Sequence, residues 1–144
     1  MNCSQCEKEI SPEKQITIED KEDWCYDCYK ASPKTICVDF DGVLAEYIGW
    51  KGPDHLGDPM PGALGFLKQL CMLNYEIVIH TTRNPSGIIA WTYKYGVGDL
   101  IHKITNRKVP AVAYIDDRAI PFLGNFSDTL MTLQNFKPYW KEDK

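Results

Sequence analysis

The stretch Thr35-Ile36-Cys37-Val38-Asp39-Phe40-Asp41-Gly42-Val43-Leu44 runs from apolar side chains into two carboxylates and a glycine. A short apolar run with a turn signal behind it reads as a buried strand ending at Asp39. Side chains alternate along an extended chain, so Asp39 and Asp41 project to the same side if the chain stays extended past the strand. Residues 42–60 then hold Gly42, Gly49, Gly52, Pro53, Gly57 and Pro59, which predicts a loop or hairpin rather than a helix.

Beyond that loop the pattern alternates. Pro61 suits the first turn of a helix whose apolar face is Leu64, Phe66, Leu67, Leu70 and Leu73. Tyr75–His80 reads as a second strand, ending at Thr81-Thr82-Arg83. Ser86 is positioned to cap a helix through Ile88, Ile89, Trp91 and Tyr95, stopped by Gly96. Leu100–Thr105 predicts a third strand, and Ala111–Ile115 a fourth that ends at Asp116-Asp117. Ser127 caps a last helix over 128–135. Strands alternating with helices imply βαβ units, hence an α/β fold with a Rossmann-like, doubly wound, mostly parallel sheet. Ligands bind beyond the carboxyl ends of such strands. Asp39/Asp41, Thr81 and Asp116/Asp117 therefore converge on one edge. Taken alone, Asp41-Gly42 is only a turn signal, and Asp116-Asp117-Arg118 only a solvated loop.

The composition changes near residue 31. Cys3-x-x-Cys6 and Cys25-x-x-Cys28 form two pairs separated by 18 residues. Paired motifs of this spacing without an export signal favour a metal over disulfides. Four thiolates close the tetrahedral shell of Zn²⁺ and leave no open position, so a zinc here is structural. Residues 1–30 are read as a zinc-binding module, Ala31-Ser32-Pro33-Lys34 as a linker, and 31–144 as the domain that carries the chemistry. Cys37 and Cys71, in apolar surroundings, read as buried free thiols.

The net charge is −4, and residues 1–30 hold four lysines against eight carboxylates, so the deficit lies entirely in the zinc segment. Nonspecific nucleic-acid binding is driven by Lys and Arg displacing counterions, which an acidic module does not supply. Hydrophobic residues make up 44% and charged residues 25%, the balance of a globular protein, and no apolar run reaches a membrane span. The first residues lack the pattern of a secretory signal, so a cytoplasmic location is expected.

The segment Ile36–Leu44 resembles the first motif of the haloacid dehalogenase superfamily, a hydrophobic strand ending in Asp-x-Asp-Gly. Ile77-Val78-Ile79-His80-Thr81 resembles its second motif. Lys108 stands where the family has its lysine, and Tyr114-Ile115-Asp116-Asp117 resembles its acidic fourth motif. The four occur in the family's order over about residues 35–125. The resemblance implies a phosphatase: Asp39 as nucleophile forming an aspartyl-phosphate, and Asp41 as general acid and then base. It further implies Mg²⁺ held by Asp39, the Asp41 carbonyl and an acid from Asp116/Asp117, with Asp116 favoured for direct contact. Lys108 would neutralise developing charge and the Thr81 hydroxyl would hold a phosphoryl oxygen. Thr82 competes with Thr81, and Lys103 and Arg107 compete with Lys108. Arg83 and Arg118 fit either substrate contacts or structural ion pairs. Trp50, Trp91 and Trp140 are read as core or domain-contact residues, and His80 as a core or neighbouring-shell histidine.

Family members often carry a cap domain between these motifs. Here 39 residues separate Asp41 from Thr81 and 26 separate Thr81 from Lys108, too few for an independent domain. The resemblance is therefore to the capless branch, with loop 46–60 as a short flap and the zinc module as a possible lid. The expected substrate is a phosphorylated small molecule or the phosphorylated end of a macromolecule. The alternatives are an interaction protein that docks partners through its zinc module, or a nucleic-acid end-processing phosphatase.

Overall fold

The computed structural model describes Asn2, Glu7, Glu9 and residues 33–141. Cys3, Cys6, Cys25 and Cys28, and with them the zinc module, lie outside the described residues. The chain divides into two units, Met1–Lys34 and Thr35–Lys144.

From Lys34 onward the elements follow as β1 (Lys34–Asp39), α1 (Ala63–Met72), β2 (Tyr75–His80), α2 (Pro85–Lys94), a 3-10 turn (Gly98–Leu100), β3 (Ile101–Thr105), β4 (Ala113–Ile115) and α3 (Phe126–Asn135). The four strands form one parallel sheet in the order β3-β2-β1-β4. This is an α/β fold compatible with the expected Rossmann-like architecture. β1 pairs with β4 through Ile36↔Ala113, Cys37↔Tyr114 and Val38↔Ile115.

From β1 the chain steps outward to β2 and β3, then returns to lay β4 on the other side of β1. The reversal makes the gap between β1 and β4 the topological switch point, where loops diverge and leave a crevice at the strands' carboxyl ends. Asp39 ends β1, and Asp116 and Asp117 follow β4 directly.

The core explains why β1 and β2 are the fixed strands. Ile36, Val38, Ile77 and Ile79 alternate onto the face that also buries Phe40, Leu44, Leu67, Ile88, Trp91 and Val97. Cys37 and Val78, on the opposite face, are buried too. α1 packs on β2 and α2 on β3. By contrast, α3 contributes no buried residue. Among the described residues no helix is long and apolar enough to cross a membrane.

Several boundaries differ from the sequence reading for local reasons. Helix α2 is capped by Asn84, whose side chain accepts the Ser86 N–H, with Pro85 in the first turn and Ser86 already inside. Asn125, accepting from the Asp128 N–H, caps α3 in place of Ser127. Leu73 falls past the end of α1 and is exposed, and β4 begins two residues later than expected. Cys37 is buried as expected, but Cys71 is exposed: its position on α1 turns away from the sheet.

Candidate active site

The turn after β1 sets the floor of the site. The Phe40 carbonyl accepts N–H bonds from Val43, Leu44 and Ala45 at 3.3, 2.9 and 3.0 Å, which folds the chain back sharply. Gly42 sits in this turn at φ +80°, a region that penalises any Cβ. A Cβ there would also lie 2.5 Å from Asp117 Oδ2 and 2.9 Å from Trp140 Nε1. Downstream, Glu46 N–H bonds Asp58 O and Met60 N–H bonds Leu44 O, so 44–60 is a hairpin-like excursion, as its glycines and prolines predict. Gly57 closes it, since a side chain there would collide with the Glu46 carbonyl, and the Trp91 indole donates to the Gly57 carbonyl at 2.9 Å.

At the switch point Asp39, Asp116 and Asp117 bring one carboxylate oxygen each within 4.8 Å of one another. Asp116 Oδ1 accepts the Arg118 N–H at 2.7 Å. Asp117 Oδ2 accepts the Trp140 indole N–H, while Asp117 Oδ1 is buried with no hydrogen-bond donor. The Asp39 pKa is pushed up to about 8, first by burial, then by the proximity of the Asp117 carboxylate, which favours the protonated form, then by the negative charge of Asp116. The Phe40 N–H opposes this without offsetting it. All-oxygen donors, excess negative charge and one orphaned acceptor fit a hard divalent cation such as Mg²⁺.

The opposite wall belongs to β2. Thr81, buried at the end of that strand, accepts the Arg83 N–H on Oγ1 at 3.1 Å. The Arg83 side chain, also buried, donates from Nε to Asp41 Oδ2 at 2.7 Å and from Nη1 to the Gly52 and Pro53 carbonyls at 3.4 and 3.3 Å. Its guanidinium lies 4.8 Å from the Trp50 ring centroid. One arginine thus links Asp41 to loop 46–60. Asp41 Oδ1 is buried and receives no donor. Beside Asp41 and Arg83 opens a cleft of about 240 Å³ whose lining includes Tyr47, Lys51, His55 and Asp58.

The structure therefore brings together Asp39, Asp116 and Asp117, with Asp41 two residues on and Thr81 hydrogen-bonded to the backbone of the arginine that holds Asp41. Lys108 is exposed, its ammonium 5.2 Å from the Tyr114 ring centroid. Arg83 resolves as an ion-paired residue and Arg118 as a cation 5.2 Å from the Trp140 ring centroid. Trp91 is a core residue, edge-on to Phe40 at 4.9 Å. His102 pairs with Glu76 at 3.2 Å. The sequence reading did not single out Tyr139, and it read Trp140 as a core or domain-contact residue rather than a partner of Asp117. Tyr139 donates its hydroxyl to the Gly42 carbonyl, and burial followed by the Asp117 charge raises its pKa, keeping that proton in place. The available signal was two aromatics behind a proline, Pro138-Tyr139-Trp140, in an otherwise polar tail.

No protein-family model matches the chain, and no curated protein matches its sequence. Among solved structures, one described as a conserved protein coded by a locus of Bacteroides thetaiotaomicron superposes with a TM-score of 0.52. It shares 22% identity, over 75% of this chain and 95% of that one. At this identity the likeness speaks for the fold alone.

Proposed function

We propose that this chain is a magnesium-dependent phosphomonoester hydrolase of the haloacid dehalogenase type, with Asp39 as its nucleophile. The carrying observation is the meeting of Asp39, Asp116 and Asp117 within 4.8 Å at the switch point, with Asp117 Oδ1 unpartnered. That much negative charge is stable in its ionised form only beside a cation. Asp39, the Asp41 carbonyl and Asp116 or Asp117 would hold Mg²⁺, which supplies charge neutralisation at the phosphoryl oxygens when bound.

The residues themselves divide the remaining work. A carboxylate oxygen of Asp39 attacks phosphorus, the bond from phosphorus to the leaving oxygen breaks, and that oxygen takes a proton from Asp41. A water molecule then gives a proton to Asp41 and attacks the aspartyl-phosphate, releasing phosphate and regenerating the Asp39 carboxylate. Because Arg83 occupies Asp41 Oδ2, the free Oδ1 is the atom that gives and takes this proton. The Thr81 oxygen already accepts from the Arg83 N–H, which leaves its own hydrogen to donate to a phosphoryl oxygen. Lys108 would have to leave the Tyr114 ring to reach the reacting phosphate.

The cysteines at 3, 6, 25 and 28 are assigned a structural Zn²⁺ within the same proposal, in a cytoplasmic protein. The test is Mg²⁺-dependent phosphate release from nucleotides, sugar phosphates, phosphopeptides and phosphorylated oligonucleotides, with Asp39→Asn as control and zinc measured in the purified protein. Release that requires Mg²⁺ and Asp39 supports the reading. No release from any class, or equal release by the variant, defeats it.

A further inference from the structure

The C-terminal Pro138-Tyr139-Trp140 segment lies nearly a hundred residues beyond the turn it touches, yet it meets that turn at several points. Pro138 is buried. The Tyr139 hydroxyl donates to the Gly42 carbonyl, and the Trp140 indole N–H donates to Asp117 Oδ2. The Trp140 ring stands edge-on to Tyr47 with centroids 4.8 Å apart and planes at 86°, and the Arg118 guanidinium lies 5.2 Å from its centroid. Tyr47 in turn lines the cleft beside Asp41. The fit is close enough that Gly42 has no room for a Cβ against Asp117 and Trp140.

We propose that this segment is a strap and Trp140 a positioning residue for the cation site: its indole N–H engages Asp117 Oδ2 and leaves the unpartnered Oδ1 to serve a cation shared with Asp39 and Asp116. The inference rests on the cation reading above, but it assigns a role to a residue outside all four motif positions. The physical need is specific. Asp117 lies on the loop after a three-residue edge strand, outside the sheet's hydrogen-bonded ladder, so a hydrogen bond to one oxygen is what selects the other as ligand. The indole N–H suits this because it is a donor only and carries no charge to compete with a cation.

The experiment is calorimetric titration of Mg²⁺ into the full chain and into Trp140→Phe, which keeps the ring and deletes the donor. Loss of an outer-shell partner weakens metal affinity by roughly 10–100-fold, and that is the expected shift. The melting temperature in EDTA should move little, and saturating Mg²⁺ should restore kcat. Tyr139→Phe, which loosens the strap without touching Asp117, should give a smaller shift of the same sign.

A second measurement uses the unmutated protein. The Trp140 indole N–H resonance should exchange slowly with solvent and should move during the Mg²⁺ titration, with the same Kd as the calorimetry. Unmutated protein that binds Mg²⁺ while Trp140→Phe binds it equally well overturns the strap and leaves the phosphatase reading standing. An indole N–H that exchanges at the free rate overturns the strap as well. Unmutated protein that binds no Mg²⁺ overturns both.

Discussion

The two strands that meet at the site are supported in opposite ways. β1 lies between β2 and β4, and its Val38, with Phe40 and Leu44 just beyond the strand, is fully buried. β4 is a three-residue edge strand, and the helix that follows it buries nothing: Leu130, Met131 and Leu133 of α3 all face solvent. Asp39 thus stands on a packed core, while Asp116 and Asp117 lie on the loop after β4, accepting hydrogen bonds from the Arg118 N–H and the Trp140 indole. Stability is not uniform across a domain, and segments with few buried apolar contacts open at lower cost. The strap matters because it ties the less supported carboxylate pair to the turn on the well-supported side.

The largest expected effect falls on the packed side and on chemistry alone. Asp39→Asn should lower phosphate release by roughly three orders of magnitude or more, as loss of a covalent nucleophile does. The fold should be retained, because the replacement keeps the size of the side chain and, like the protonated Asp39, adds no charge to a crowded cluster. A variant with near-normal turnover would defeat the proposed reading.

The next effect sets the two halves directly against each other. Leu67 is 0% exposed on α1, whereas Leu130 is 60% exposed on α3. Leu67→Ala should cost about 2–5 kcal/mol of unfolding free energy through lost burial and the cavity left behind. Leu130→Ala should stay within about 0.5 kcal/mol. Chemical denaturation of the two variants measures both. Equal losses would mean that α3 is packed in solution, and the contrast between the halves would fall.

Much of this contrast was already legible in residue patterns, and the limits were physical. β1, β2 and their helices are long enough for periodicity to declare them, and the carboxylates at strand ends follow from topology. Cap positions shifted because Asn84 and Asn125 compete with nearby serines for the same N–H groups, a choice that turn geometry makes. Arg83 could be weighed as substrate contact or ion pair, but only the fold brings it to Asp41. Trp140 was beyond reach for a different reason. Its partner lies 23 residues away on the far side of helix α3, and no local spacing encodes such a contact.

Gly42→Ala tests the junction between the halves. At φ +80° an alanine costs on the order of 1–2 kcal/mol from backbone sterics, and its Cβ would press on the Asp117–Trp140 pair. The expected outcome is a modestly lower melting temperature together with weaker Mg²⁺ binding. A variant that lost stability yet kept its Mg²⁺ affinity would uncouple the turn from the carboxylate pair.

The last effect is a pH dependence, and its sign follows from Asp39. Its pKa rises from 3.8 to about 8 in the folded chain, by burial and by the neighbouring Asp117 and Asp116. Between those values the native state holds a proton that the unfolded chain has released, so stability falls as pH rises. In EDTA the contribution is fully present below about pH 4 and is lost as pH climbs through about 8. Mg²⁺ competes with that proton for the same oxygens, so the melting temperature gained on adding Mg²⁺ should widen from pH 5 to pH 8. Asp39→Asn should flatten the slope in EDTA, since it removes the titrating group, and should leave the pH response of the remaining carboxylates. A gain from Mg²⁺ that is constant across this range would mean that Asp39 is already ionised without the cation. The crowding of Asp39, Asp116 and Asp117 would then be relieved by the well-packed half of the protein itself.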